Sequence, residues 1–320
     1  MSDVLSSEQG AALLKQMRDV LIITHKNPDG DTLGSGFGLW AALRQIGIRS
    51  KVVNEGKIAD RFDFMTKPYA EQADTDFDPL FVVAVDTAAT KLIGDSLCEK
   101  YGGRVDLCID HHGSNETYAK NTVCDPASAS TCEIIAEITE LLGAELDMYI
   151  AKCVYTGLAT DTGCFKYSNT TAKSHLLAAR LIDIGVDFAE LNRLFFETKS
   201  RQRAALEQMA VAGMEFAHDG KIAIITVTKD MLARAGCDPS DIEGITPISR
   251  TIEGVEVGVT MRELNNGNFK VSLRTVTVDA ARICAMFGGG GHPRASGFEC
   301  GGTAFDIKVA TIKAIEKVLD

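Results

Sequence analysis

The chain of 320 residues is 45% hydrophobic and 24% charged, which suits a water-soluble protein large enough for two domains. Its formal net charge of −11 excludes the extended basic surface with which proteins grip long nucleic acid, duplex DNA and RNA included. No apolar run approaches the roughly 20 residues of a membrane helix, and the N-terminus lacks a signal peptide's charged and apolar regions, so a cytoplasmic protein without a membrane partner is expected.

In chain order, the first half alternates apolar strands with amphipathic helices. Strands are predicted near residues 20–24, 51–54, 80–85, 105–109 and 122–124, and helices near 32–46, 130–142, 148–160 and 171–184. This alternation predicts βαβ units and an α/β fold with a mostly parallel, doubly wound sheet. From about 187 to 216 the pattern is helical and polar with no strand, as in a linking helix. Beyond it come strands near 221–227, 255–262 and 269–274, a helix near 279–287, a glycine cluster, another strand and a final helix. Asn266-Gly267 between the second and third of these strands is a hairpin signal. A smaller α+β C-terminal domain is therefore expected, joined to the first by the helical linker. The nine cysteines include no Cys-x-x-Cys pair, and several, such as Cys108 and Cys153, lie in apolar runs; reduced structural thiols are expected rather than disulfides or a structural zinc.

The run Leu21-Ile-Ile-Thr-His25-Lys-Asn-Pro-Asp29-Gly-Asp31 holds three candidate metal ligands within seven residues, where a strand gives way to a tight loop. Three further sites echo it at the ends of apolar runs: Asp86, the triplet Asp110-His111-His112, and Asp161 in Gly157-Leu-Ala-Thr-Asp161-Thr-Gly163. The carboxyl ends of neighbouring parallel strands lie on one edge of a sheet, where open α/β folds bind ligands. One aspartate at a strand end is usually a cap or turn former; several together with two imidazoles predict a metal site. Carboxylate and imidazole without thiolate suit Mn²⁺, Fe²⁺, Co²⁺ or Zn²⁺ better than Ca²⁺. Six candidate ligands exceed what one catalytic ion takes, so two ions are the simpler count, and such centres hydrolyse phosphate esters or amides.

His25-x3-Asp29-x-Asp31, Asp86, Asp110-His111-His112 and Asp161 resemble, in matching order, the four motifs of the DHH phosphoesterase superfamily. The resemblance implies that His25 and Asp29 bind one Mn²⁺, that Asp31, His111 and Asp161 bind the other, and that Asp86 bridges both. His112 then contacts substrate or protonates the leaving group, and Asp110 supports catalysis by orienting the histidines.

Phe287-Gly-Gly-Gly-Gly291-His292-Pro-Arg294-Ala-Ser296-Gly297 is neither a P-loop nor a dinucleotide fingerprint, and by itself reads as a flexible connection or an anion cradle. Together with Arg274 it resembles the DHH-associated domain of one branch of the superfamily. That implies substrate contacts from Arg274, Gly289, Gly290, Gly291, His292 and Ser296, while Pro293-Arg294 departs from the commonest pattern and leaves the role of Arg294 open. The implied domains are a DHH catalytic domain over 1–190, a helical linker over 191–216 and a DHH-associated substrate-binding domain over 217–320.

This pairing, without a pyrophosphatase-type basic motif or added nucleic-acid and sensory modules, is similar to the bacterial nanoRNase and 3′-phosphoadenosine 5′-phosphate (pAp) phosphatase family. It implies Mn²⁺-dependent hydrolysis of short oligoribonucleotides to nucleoside monophosphates, of pAp to AMP and phosphate, or of both. Cyclic di-AMP or linear dinucleotide phosphodiesterase and polyphosphatase activities are alternatives, a non-catalytic nucleotide sensor is a remoter one, and a homodimer is left open.

Overall fold

A computed structural model describes residues 2–237 and 244–319. The chain divides into two compact units, Met1–Thr198 and Lys199–Asp320. The first contains, in order, β1 (Asp3–Leu5), α1 (Ser7–Leu14), β2 (Val20–Ile23), α2 (Gly30–Gln45), β3 (Ser50–Val53), α3 (Asp63–Gln72), β4 (Phe81–Val85), α4 (Asp95–Tyr101), β5 (Leu107–Asp110), β6 (Asn121–Cys124), α5 (Thr131–Leu142), α6 (Met148–Asp161), α7 (Ala172–Ile184) and α8 (Phe188–Asn192). Its six strands pair in the order β1-β6-β5-β4-β2-β3, every neighbouring pair parallel.

Alternation along the strands explains helices on both faces. Val20, Ile22, Val83, Val85, Leu107 and Ile109 pack into one core with Leu39, Leu43, Ile135 and Val154 from α2, α5 and α6. The intervening Leu21, Ile23, Val82, Ala84 and Cys108 face a second core with Ile93 and Tyr101. Buried on both sides, these strands are the continuous apolar runs expected of a parallel sheet. The chain leaves β3 at one edge and returns to β4 on the other side of β2, so β2 and β4 form the switch point where the carboxyl ends of strands open a crevice.

Helix α2 is buried from Gly30 to Leu43 and lies against α6. A Cβ on Gly34 would sit 2.4 Å from the Cys153 carbonyl oxygen and 2.8 Å from Cys132 Sγ, so only glycine permits this approach, which aligns the start of α2 with the end of α6.

The second unit contains α9 (Arg201–Ala212), β7 (Glu215–Ala217), β8 (Ile222–Val227), α10 (Lys229–Ala235), β9 (Val257–Glu263), β10 (Phe269–Thr275), α11 (Ala280–Ala285), β11 (Gly290–His292), β12 (Ala295–Cys300) and α12 (Ala304–Leu319). Its sheet runs β11-β12-β10-β9-β8-β7; β8 and β9 are parallel and the other pairs antiparallel. Helices α11 and α12 cover one face through Ile283, Ile307 and Ile315. On the other face, Leu206 and Ala210 of α9 and Leu232 of α10 pack on Ile225 and Val227. The segment 191–216 thus divides: α8 stays with the first unit, and α9 packs on β8. The strand-free reading of that segment is corrected by β7, a three-residue edge strand too short to carry a period-2 signal. None of the nine cysteines is in a disulfide.

Replacing Gly34 by Ala forces a methyl against backbone that cannot yield. We expect a loss of about 1–3 kcal/mol of unfolding free energy, the usual cost of overpacking, read as a lower urea midpoint; an unchanged midpoint would contradict the tight α2–α6 approach.

Candidate metal centre and a glycine-rich hairpin

The carboxyl ends of β2, β4 and β5, the start of α2 and the end of α6 meet at the switch point, and they carry all six predicted ligands. Asp29 is the N-cap of α2: Oδ1 accepts the amides of Asp31 and Thr32, both at 3.1 Å, which leaves Oδ2 to face His25. His25 is held through its backbone, with its amide on Thr32 Oγ1 and its carbonyl accepting Asn54 Nδ2 at 2.7 Å. His25 Nε2 lies 3.5 Å from Asp29 Oδ2 and 3.5 Å from Asp86 Oδ2.

Asp86 follows β4 in the left-handed region, φ +54°, which aspartate adopts more readily than most non-glycine residues. Its second oxygen, Oδ1, lies 3.9 Å from His111 Nε2, which is also 3.4 Å from Asp161 Oδ2 and 3.9 Å from Asp31 Oδ2. Three sets of side chains have donor atoms within 4.8 Å of one another: His25–Asp29–Asp86 and Asp31–His111–Asp161, which form two ligand groups, and Asp86–His111–His112, which joins them. Asp86 belongs to the first group and turns its other oxygen toward the second, with His112 Nδ1 3.6 Å from that oxygen.

Asp31 is buried, and the start of α5 holds it. Its Oδ2 accepts the Thr131 amide at 2.7 Å and its Oδ1 the Cys132 amide at 2.9 Å, two helix-start donors that have no partner within their own helix. Even so, burial together with the charges of Asp86, Asp161 and Asp29 pushes Asp31 well above the usual carboxylate range. Burial likewise raises Asp161 to about 6, with His111 opposing and Asp86 and Asp29 adding to the rise. Burial disfavours a charged His25, yet its contacts with Asp29 and Asp86 outweigh this and raise it to about 10.

The arrangement of donors fits divalent ions. His111 Nδ1 lies 3.2 Å from the Ser128 carbonyl, which fixes the tautomer and aims Nε2 at the carboxylates, and that buried nitrogen has no hydrogen-bond partner among the described residues. An imidazole nitrogen held this way from behind is the usual posture of a metal ligand.

Asp110 lies behind the histidines, fully enclosed. Its Oδ1 accepts the amides of His111 and His112 and faces His112 Nδ1 at 2.8 Å, while Oδ2 accepts Asn115 Nδ2 at 2.6 Å. Burial works against its charge, but the His112 contact holds it below the usual range. The same contact raises the half-buried His112 to about 9, despite burial.

In the second unit the glycine run is a hairpin arm, not a loose loop. Gly290–His292 forms edge strand β11 against β12, pairing Gly291 with Ser296 and His292 with Ala295. Gly291 has φ +141° and would place a Cβ 2.7 Å from the Ala295 carbonyl, so the hairpin itself requires glycine there. Ala295 also pairs with Arg274, so His292, Ala295 and Arg274 share one face, which carries Ser272, Gly297 and Gly290 as well. Ser296 belongs to the opposite, buried face, and its hydroxyl donates to the His292 carbonyl at 2.7 Å. Arg294 donates to the Val278 carbonyl at 3.0 Å, tying the hairpin tip to the segment before α11. Gly289 immediately precedes the arm.

Reading the sequence did not find Thr131, Asn115 or Ser128. Their contacts with Asp86, Asp110 and His111 lie in the fold; the only local signal was the cap-forming Ser-x-Ser-Thr run before α5.

Comparison with known proteins gives the family. Residues 19–158 match the DHH family N-terminal domain and residues 219–317 the DHHA1 domain. A relative from Thermus thermophilus is 32% identical, over 94% of this chain and 88% of its own length, and is named bifunctional oligoribonuclease and PAP phosphatase NrnA. The chain belongs to the DHH family. A Streptococcus mutans protein, described as a probable enzyme of the same name, is 27% identical over 89% of this chain and 91% of its own. A solved exopolyphosphatase-related protein from Bacteroides fragilis superposes with a TM-score of 0.85 at 26% identity, covering 97% of this chain and 96% of that one. Among the described residues of this DHH protein, no helix is long and apolar enough to cross a membrane.

The acidic cluster sets the sign of a metal and pH effect. Asp161 and Asp31 have raised folded values, so above the unfolded carboxylate range the metal-free fold loses stability as pH rises through about 6. His25, raised to about 10, adds a further loss as pH rises from its unfolded value toward 10. A divalent ion reverses this by preferring the deprotonated ligands. We expect a fixed concentration of MnCl₂ to raise the melting temperature little at pH 5 and more toward pH 8, the gain in unfolding free energy reaching about 2.7 kcal/mol where that concentration is a hundredfold above Kd. A gain independent of pH would contradict the ligand set.

Proposed function

We propose that this DHH protein is a two-metal phosphoesterase that uses Mn²⁺ to hydrolyse short oligoribonucleotides to nucleoside monophosphates and pAp to AMP and phosphate. The observation that carries the reading is Asp86, with one oxygen toward His25 and Asp29 and the other toward His111. A shared carboxylate between two ligand groups is the arrangement that two-metal phosphoryl-transfer sites need. The names of the full-length relatives support the substrate class.

In this reading His25, Asp29 and Asp86 hold one ion, and Asp31, Asp86, His111 and Asp161 the other. Bound there, divalent ions supply Lewis acidity toward a phosphoryl oxygen and lower the pKa of water. The protein supplies orientation and a proton. Asp110 faces His112 Nδ1, so Nε2 is the free end of that ring, and the same contact raises the ring's affinity for a proton. It is therefore suited to give a proton to the leaving sugar oxygen. Arg274 and His292, on one face of the second sheet, suit the substrate's phosphate and base, and the glycines beside them leave that face open to a flat ligand. Two to five nucleotides suit a chain of net charge −11 better than a long strand.

The test is a panel of pAp, a diribonucleotide and cyclic di-AMP, each with Mn²⁺ and with EDTA. We expect turnover of pAp and the diribonucleotide that EDTA abolishes, and a fall of about 10²–10³-fold or more in Asp86→Ala, the scale of removing a charge-stabilising group. Turnover of cyclic di-AMP alone would favour a cyclic-dinucleotide enzyme. Tight nucleotide binding without hydrolysis would favour a sensor, and wild-type turnover by Asp86→Ala would overturn the bridging role.

A further inference from the structure

Thr131, the first residue of α5, contacts one candidate ligand from each group. Its hydroxyl donates to Asp86 Oδ1 at 2.9 Å in a buried contact, and its backbone amide donates to Asp31 Oδ2 at 2.7 Å. The hydroxyl is not the helix cap. Ser130 has that task, its side chain accepting the Glu133 amide. The Thr131 hydroxyl is thus directed at Asp86 by choice of residue and not by any need of α5.

A carboxylate that serves two ions must present one oxygen to each. The terminal torsion of aspartate is broad and roughly two-fold, so rotamer preference alone does not set the carboxylate plane. The backbone of Asp86, at φ +54°, fixes where the side chain starts and not the plane of its carboxylate. The Thr131 hydroxyl is the hydrogen-bond donor on Oδ1; the imidazole nitrogens His112 Nδ1 at 3.6 Å and His111 Nε2 at 3.9 Å face the same oxygen from farther off, so this bond leaves Oδ2 pointing at His25 and keeps the plane from turning both oxygens to one side.

We infer that Thr131 is a positioning residue for the metal centre, whose hydroxyl sets the carboxylate of Asp86 so that one aspartate serves both ligand groups. The inference rests on the two-metal reading above and adds to it a residue that touches neither ion nor substrate.

The test compares Thr131→Val, which keeps the shape and removes the donor, with Thr131→Ser, which keeps the donor. Mn²⁺ is titrated calorimetrically without nucleotide, and urea midpoints are measured in EDTA. We expect Thr131→Val to bind Mn²⁺ about 10–100-fold more weakly, the usual cost of losing a group that orients a ligand, and Thr131→Ser to regain wild-type affinity. Wild-type affinity in Thr131→Val, or equal loss in Thr131→Ser, would overturn the inference. So would a lowered urea midpoint with Mn²⁺ affinity unchanged, which would make the contact structural. Should Thr131→Val fail to fold, Thr131→Ala makes the same comparison. Because the titration contains no nucleotide, a protein that binds Mn²⁺ yet hydrolyses none of the three substrates would contradict the proposed function and leave the Thr131 comparison readable.

Discussion

Asp29, Asp31, Asp86 and Asp161 converge on one partly enclosed crevice, and the rest of the structure follows from that concentration of like charge. Asp31 illustrates the constraint. Two helix-start amides donate to it, yet burial and its three neighbours still drive its affinity for a proton far above that of a free carboxylate. Such a cluster is tolerable only with protons or cations in it, and at neutral pH divalent ions meet the need better. The buried Nε2 of His111, which has no hydrogen-bond partner among the described residues, points the same way.

The fold makes the convergence possible through a few close approaches. Parallel pairing brings the ends of β2, β4 and β5 to one edge, and the strand-order reversal beside β2 opens the crevice there. Helix α2 reaches α6 through Gly34, which sets Asp31 and Asp161 on either side of His111. The start of α5 then closes the site from a third direction. Stability is spent in an enzyme-like way, with charge repulsion in the crevice offset by a core packed on both faces of the sheet.

What could be read from the sequence, and what could not, divides along the range of the interactions. The β2, β4 and β5 strands and the α2, α5 and α6 helices carry continuous or periodic apolar patterns, so local residues announce them. The six candidate ligands were legible because each stands where such a pattern stops. The supporting residues were not, since Thr131 meets Asp86 across 45 residues and Asp31 across 100, and no local pattern encodes such contacts. Short elements also escaped: β1 exists by pairing with β6, α1 is announced only by the capping box of Ser6 and Gln9, and β7 depends on β8. The glycine run reads as a loop because its strand character comes entirely from β12, and the same pairing turns Ser296 away from the face of Arg274 and His292.

The central claim is that Asp86 lies between two ions. Anomalous diffraction from crystals grown with MnCl₂, recorded on both sides of the manganese edge, tests it most directly. The account predicts two manganese peaks about 3.5–4 Å apart, one bounded by His25 and Asp29, the other by Asp31, His111 and Asp161, with an oxygen of Asp86 on each. A single peak, or two peaks with both Asp86 oxygens on the same ion, would contradict it.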